Sequence, residues 1–144
     1  MNQKDQTKST ESRLIREAVR MRKKSYAPYS GFSVGAAVLC SDGSIYTGCN
    51  IENSSYPITI CAERTAMAKA ISEGHTSFTA IAVTGGKSEV PEGYSYPCGA
   101  CRQFMREFSQ PDALRVIVAK SEEDYVEKTL EELLPESFGP GNLV

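Results

Sequence analysis

The chain has 144 residues, 40% of them hydrophobic and 24% charged, and a formal net charge of −2. This length and composition are typical of one globular domain, and no apolar run approaches the roughly 20 residues that a membrane span requires. The small negative charge gives no general attraction to a phosphate backbone, so we expect neither a membrane partner nor a nucleic-acid partner.

The N-terminal segment is polar and carries no apolar stretch of the kind found in secretory signals. We therefore predict a polar tail over residues 1–13, a single folded domain over residues 14–144, and a cytoplasmic location. In that compartment the five cysteines should stay reduced, which favours metal binding over a structural disulfide.

A first helix is predicted from an apolar repeat at helical spacing, made by Leu14, Ile15, Ala18 and Met21. It should begin at Ser9 or Thr10, which are good N-terminal caps, and end near Ser25. A strand over residues 32–40, a tight turn containing Asp42-Gly43, and a strand over residues 45–49 predict a hairpin.

The polar segment 50–60 is predicted to be a loop that leads into a helix beginning at Cys61. The later elements are a strand over 78–84, a helix after Pro97, a strand over 114–119 and a short helix over 129–134. A further strand near 125–127 is a second possibility. This order predicts an α/β fold with a mixed sheet covered by helices.

Two separated segments carry the chemistry, Cys61-Ala62-Glu63-Arg64 and Pro97-Cys98-Gly99-Ala100-Cys101. If each segment starts a helix, the three cysteine side chains lean toward the helix N-termini and can converge on one ion. Three protein ligands leave tetrahedral zinc a fourth position for water, which is typical of catalytic sites. Glu63 is then placed to carry protons, and Arg64 is the nearest cation to offset three thiolate charges.

Other interpretations of the cysteines compete with this one. A Cys-x-x-Cys pair alone is also found in redox sites and in closed four-cysteine zinc knuckles. A fourth ligand from Cys40 or Cys49 would close the site, but both lie in predicted strands and are more typical of small buried apolar residues. His75, the single histidine, follows Gly74 and is interpreted as an exposed loop residue.

The sequence resembles the small, homotetrameric cytidine deaminases from about Tyr26 through Phe138. The resemblance is carried by Tyr26-Ala27-Pro28-Tyr29-Ser30, Phe32-Ser33-Val34-Gly35-Ala36-Ala37, Gly48-Cys49-Asn50-Ile51-Glu52-Asn53, Cys61-Ala62-Glu63-Arg64-Thr65-Ala66, Pro97-Cys98-Gly99-Ala100-Cys101-Arg102-Gln103 and Leu133-Leu134-Pro135. It implies a three-layer α-β-α fold with a mixed, mostly five-stranded sheet. It also implies a homotetramer that hydrolyses cytidine and deoxycytidine to uridine and deoxyuridine, with release of ammonia, in pyrimidine salvage.

The same resemblance assigns roles to individual residues. Cys61, Cys98 and Cys101 match the ligands of one zinc ion per chain, and Glu63 matches the proton carrier. The residues matched to substrate binding are Phe32 on the pyrimidine, Asn50 and Glu52 on the ribose hydroxyl, and Phe138 in a neighbouring subunit's site.

Two alternatives to this function stay open at the level of sequence. A blasticidin-type or other small-molecule aminopyrimidine deaminase shares the metal motif, but we do not expect it to carry Asn50-Ile51-Glu52-Asn53. A non-catalytic, structural zinc-binding interaction domain belongs to a different class, and Glu63 argues against it.

Overall fold

A computed structural model describes residues 2–144 of the chain. Its helices are α1 (Gln3–Met21), α2 (Ala62–Ser72), α3 (Gly99–Glu107) and α4 (Leu130–Leu133). Its strands are β1 (Ser33–Cys40), β2 (Ile45–Cys49), β3 (Phe78–Gly86), β4 (Arg115–Ala119) and β5 (Tyr125–Thr129). No helix within residues 2–144 is long and apolar enough to cross a membrane.

Helix α1 begins much earlier than the predicted start at Ser9 or Thr10. The Asn2 side chain caps it by accepting a hydrogen bond from the Asp5 amide at 2.9 Å. The carboxylate of Asp5 lies in the first turn, where its negative charge interacts favourably with the positive end of the helix dipole. The predicted tail over residues 1–13 is therefore helical from Gln3, while Met1 lies outside the described residues. Sequence reasoning missed these turns because they are polar on all sides, so no apolar periodicity marks them.

The five strands form one sheet in the order β2-β1-β3-β4-β5. Strand β1 pairs antiparallel with β2 and with β3, β3 pairs parallel with β4, and β4 pairs antiparallel with β5. The mixed, five-stranded sheet is thus confirmed, including the strand that the sequence left as a possibility near Tyr125. The hairpin turn is also as predicted, since Gly43 adopts a φ of 92° that favours glycine.

The sheet separates two apolar clusters. On one face of the sheet, Leu14, Ile15 and Ala18 of α1 pack against apolar side chains of β1, β3 and β4. On the other face, the alanines and Met67 of α2 pack with Met105 of α3. This places α1 in one layer and α2 with α3 in the opposite layer, which confirms the three-layer α-β-α architecture.

Helix α2 lies unusually close to β2 at Gly48. A Cβ atom added to Gly48 would stand 2.4 Å from the Ala66 amide nitrogen and 2.6 Å from the Ala62 carbonyl oxygen. Only glycine permits this approach. Because Ala62 is the first residue of α2, the same contact fixes where the chemically important first turn of that helix lies.

Candidate active site

The three predicted metal-binding cysteines lie at the N-termini of two helices. Cys61 is the N-terminal cap of α2, Cys98 is the cap of α3, and Cys101 lies in the first turn of α3. The Sγ atoms of Cys61 and Cys98 are 3.8 Å apart, and all three sulfurs lie within 4.8 Å of one another. The structure therefore brings together residues that are up to 40 positions apart, as the sequence predicts.

These distances fit zinc. A tetrahedral ion with Zn–S bonds of about 2.3 Å separates its sulfurs by about 3.8 Å, which matches the spacing of Cys61 and Cys98. Within residues 2–144, no other His, Cys, Asp or Glu ligand atom joins this cluster, and Cys40 and Cys49 are buried elsewhere. Three thiolates without a fourth protein ligand make an open site.

The surroundings of the cluster favour thiolate at Cys61. A hydrogen bond from the Cys101 thiol, followed by one from the Arg64 guanidinium, lowers the pKa of Cys61 to about 5 although burial opposes this. The Arg64 Nη2 atom lies 3.5 Å from the Cys61 sulfur. The Nε atom of Arg64 is buried without a hydrogen-bond partner in the described part of the chain. A half-buried cation placed in this way requires nearby negative charge, and metal-bound thiolates supply it.

Glu63 lies in the first turn of α2 and is only 4% exposed. Burial raises the pKa of its carboxyl to about 7, and the nearby Cys61 adds to this effect, while the Glu63 amide and the Cys101 thiol lower the pKa. A carboxyl with a pKa near neutrality can both accept and return a proton. Glu63 is not part of the cluster of ligand atoms, so it remains free for this task.

A cleft of about 190 Å³ opens beside the cysteines. Phe32, Asn50, Cys61, Glu63 and Cys98 all contribute to its wall, as the sequence predicts for a shared site. The lining residues that sequence reasoning missed are Val34, Thr59, Ile60, Ala62, Val83, Ser95 and Tyr96. The wall is largely apolar, which suits a planar heterocycle, and its few polar groups are suited to orienting it.

The Asn50 side chain is fixed by the protein. Its Oδ1 accepts hydrogen bonds from the Val34 amide at 2.9 Å and from the Ser25 hydroxyl, and its Nδ2 donates to the Phe32 carbonyl at 2.8 Å. An amide nitrogen has two protons, so one N–H of Asn50 is still available to a bound molecule. Asn50 thus positions the start of β1, and it is also one of the residues that line the cleft.

The predicted substrate residue Glu52 lies next to the cleft and not in its wall. Its carboxylate accepts hydrogen bonds from the Tyr29 amide at 2.9 Å, the Ser30 amide at 3.1 Å and the Ser30 hydroxyl. The Ser30 hydroxyl is the main cause that holds the pKa of Glu52 below its usual value. A second depression contains Tyr29, Ser30, Glu52, Tyr56 and Thr59, and Thr59 also lines the cleft. Thr59 is therefore a wall residue of both cavities, which lie side by side.

Phe138 does not reach the cleft of its own chain. Its side chain is 59% exposed, and its carbonyl accepts a hydrogen bond from the Gln103 side chain of α3 at 3.0 Å. The residue is held on the surface by α3, with its aromatic ring free for contact with another molecule.

Arg22 is a positioning residue that sequence reasoning missed. It is 9% exposed and donates to the carbonyls of Ser33, Gly86, Ser88 and Glu89 at 2.7–2.9 Å. These bonds tie the start of β1 to the end of β3 and to the segment that brings Ser95 and Tyr96 to the cleft. No local pattern marks Arg22, because its acceptors are backbone groups up to 67 residues away.

Fold and cleft together define a zinc-dependent deaminase. Residues 8–119 match the family described as "Cytidine and deoxycytidylate deaminase zinc-binding region". The chain belongs to the cytidine deaminase family, and it binds zinc.

Several curated relatives and solved structures agree with this assignment. The chain is 47% identical over 131 residues to the cytidine deaminase of Sporosarcina psychrophila, covering 91% of this chain and 93% of the relative. It is 50% identical over 126 residues to that of Halalkalibacterium halodurans, covering 87% and 91%. The crystal structure of cytidine deaminase from Burkholderia pseudomallei superposes with a TM-score of 0.79 at 44% identity, covering 88% of this chain and 97% of that chain.

Proposed function

We propose that the protein hydrolyses cytidine and deoxycytidine to uridine and deoxyuridine, releasing ammonia, in pyrimidine salvage. The observation that carries this proposal is the open cluster of three cysteines in the same cleft as the buried Glu63, whose pKa is raised to about 7. A structural zinc domain would need a fourth protein ligand, and the described part of the chain offers none at this cluster. Incubation of purified protein with cytidine should produce the ultraviolet spectrum of uridine.

We assign one proton carrier to this reaction. Zinc held by Cys61, Cys98 and Cys101 would supply the activation of a water molecule. Glu63 accepts one proton of the attacking water and delivers it to the ring nitrogen. It then accepts the second proton from the hydroxyl formed on the ring carbon and delivers it to the amine, which leaves as ammonia while that hydroxyl becomes the carbonyl of uridine. Arg64 balances the negative charge of the thiolates through its contact with the Cys61 sulfur.

Removal of zinc should abolish the activity. We expect about one tightly held zinc ion per chain, a loss of turnover on chelation, and recovery when zinc is returned. Elemental analysis and X-ray absorption at the zinc edge check this, because the metal should have three sulfur neighbours. A fourth sulfur would contradict the open site.

The substrate residues are proposed from their placement. Phe32 lines the cleft and would pack on the pyrimidine, while the free N–H of Asn50 would donate to a ribose hydroxyl. A nucleoside with its base in the cleft would extend its sugar past Thr59 toward the ionised carboxylate of Glu52. The carboxylate can accept a further hydrogen bond from that sugar.

Substitution of Glu52 should therefore affect sugar recognition. Glu52→Gln should lower kcat/KM for cytidine by about one to two powers of ten, since a charge-assisted hydrogen bond is worth about 1.5–3 kcal/mol. Free cytosine should be a still poorer substrate of the wild type, because it leaves the sugar-binding groups unpaired and loses the positioning that ribose provides. Cytidine monophosphate should also be poor, since the loop over residues 50–60 contains no basic residue.

Steady-state kinetics with the three substrates test this assignment. Glu123→Gln is the matched control, because Glu123 is exposed and lines neither the cleft nor the depression that contains Glu52. Equal use of cytosine and cytidine, or an unchanged constant in Glu52→Gln, would remove this role from Glu52.

We further propose that the active protein is a homotetramer in which Phe138 enters a neighbouring subunit's site. Tyr56, Ile58 and Phe138 are 68%, 66% and 59% exposed, which is unusual for large apolar side chains and is typical of contact surfaces. Sedimentation should give a tetramer at assay concentrations, and a fully active monomer at high dilution would contradict the assembly.

We assign the protein to the cytoplasm, where its five unpaired cysteines stay reduced.

A further inference from the structure

A second group of metal-binding side chains lies at the opposite end of α2. A sulfur of Cys40, a carboxylate oxygen of Asp42 and a ring nitrogen of His75 all lie within 4.8 Å of one another. Cys40 ends β1, Asp42 lies in the hairpin turn, and His75 follows α2. His75 lies in a loop after α2, as the sequence predicts, but the predicted exposure is wrong, since its side chain is only 25% exposed.

The contact between His75 and Asp42 has the length of an ion pair with a protonated histidine, and this length also fits two ligands of one ion. Their Nδ1 and Oδ2 atoms are 3.4 Å apart. Zinc bonds of about 2.0–2.1 Å to nitrogen and oxygen separate tetrahedral ligands by about 3.3 Å. In the described part of the chain the His75 ring makes no hydrogen bond, and Asp42 is its one ion-pair partner.

Two of the three side chains, those of Asp42 and His75, are held by neighbouring groups. Oδ1 of Asp42 accepts hydrogen bonds from the Ser44 amide at 3.0 Å and the Ser44 hydroxyl at 2.6 Å, which leaves Oδ2 for another partner. The His75 ring packs against Tyr46 at a tilt of 48°, with centroids 5.3 Å apart. Such supporting contacts orient metal ligands and raise affinity.

The backbone of this cluster is also fixed. Gly74 has a φ of 95°, and the amides of Gly74 and His75 bond to the carbonyls of Ile71 and Ala70, which is the Schellman end of a helix. The pairing of β1 with β3 shifts register between Leu39 and Cys40, and such bulges redirect side chains. The three side chains therefore come from well-ordered, rigid positions.

We propose that Cys40, Asp42 and His75 bind a second zinc ion, weaker than the catalytic one. One thiolate, one imidazole and one carboxylate are ordinary zinc ligands, and water would complete the shell from the exposed side of Asp42. An ion pair between His75 and Asp42 would leave the nearby Cys40 sulfur without a role, whereas a metal ion would bind all three groups. The ion would join the β1–β2 turn to the end of α2.

This site is separate from catalysis. Helix α2 has 11 residues, so at about 1.5 Å per residue the two ends lie roughly 16 Å apart. Cys61 and Glu63 are at its first turn, whereas His75 follows its last. The proposal is therefore independent of the function assigned to the cleft.

Calorimetric titration with Zn²⁺ tests the proposal on protein that retains its catalytic zinc. The wild type should take up a second equivalent, and its thermal unfolding temperature should rise with added zinc. His75→Ala and Cys40→Ser should each weaken the affinity for this zinc by about 100-fold. Loss of a residue that supports a ligand already lowers metal affinity by about 10–100-fold, and loss of the ligand itself should cost at least as much. The kcat for cytidine should stay unchanged in His75→Ala.

Cys49→Ser is the matched control, because Cys49 is likewise a buried thiol in the hairpin but lies outside the cluster. With Co²⁺ as the added ion, the thiolate charge-transfer band should be present in the wild type and in Cys49→Ser, and absent in Cys40→Ser. If Cys40→Ser fails to fold, His75→Ala and Asp42→Asn decide the question. No second equivalent in the wild type, or a second equivalent that persists in these variants, would overturn the proposal.

Discussion

Glu63→Gln is expected to lower kcat for cytidine by about 10⁴-fold, at the upper end of what one positioned acid–base group contributes. The carboxyl is buried beside the cysteines, and burial raises its pKa to about 7, where it can take up and return protons. Glutamine has the same shape and can form similar hydrogen bonds, but it cannot carry a proton. The loss should therefore appear in kcat, with a much smaller change in KM.

Zinc content and thermal unfolding separate this effect from a damaged site. Both should match the wild type, because Glu63 is not among the clustered ligand atoms. Glu73→Gln at the other end of α2 is the matched control and should keep wild-type turnover. Near-normal turnover in Glu63→Gln would require a different proton carrier in the cleft.

Gly48→Ala is expected to cost about 3 kcal/mol of unfolding free energy, the upper part of the usual range for overpacking. The new methyl group would meet the Ala66 amide and the Ala62 carbonyl, and backbone atoms cannot rotate away as a side chain can. Either β2 or α2 must move. For a domain of this size the change corresponds to roughly 10 °C in unfolding temperature.

The same substitution should also reduce zinc affinity and turnover, because Ala62 lies between Cys61 and Glu63. Thermal unfolding, metal content and kcat should be measured together. Gly141→Ala is the control, since its Cβ atom would meet nothing within 4 Å and should leave all three unchanged. A Gly48→Ala protein with wild-type stability would show that α2 can shift without cost.

Most of the fold could be predicted because its signals are local. Asp42-Gly43 marks the hairpin, and continuous apolar, β-prone runs mark the buried strands. The short last helix was also marked, since Thr129 and Glu132 form a capping box. The first turns of α1 were not predicted, because a polar helix has no apolar stripe. The contact that anchors this helix joins residues far apart in the chain, so local sequence patterns do not indicate it. That anchor is Glu11, which bonds to Arg115 and Tyr125, more than 100 residues away.

The chemical part of the site was predictable and its walls were not. Three cysteines and a glutamate at two helix starts restrict the chemistry strongly, since few side chains bind zinc or carry protons. Thr59, Ser95 and Tyr96 line the cleft only because loops bring them there. Arg22 fixes one of these loops by donating to backbone carbonyls. Every residue has a backbone carbonyl, so the residue types in the sequence do not indicate which ones accept these bonds.

The division of the zinc ligands between two helices also sets when the protein can acquire its metal. Two of the three cysteines lie beyond residue 97, so a growing chain that ends before α3 offers Cys61 alone. A single thiolate cannot compete for zinc with the thiols of the cell. The complete set of three zinc ligands therefore exists only after residue 101 has been synthesised. Ribosome-bound chains stalled before residue 98 should carry no zinc at this site, whereas released full-length chains should carry it.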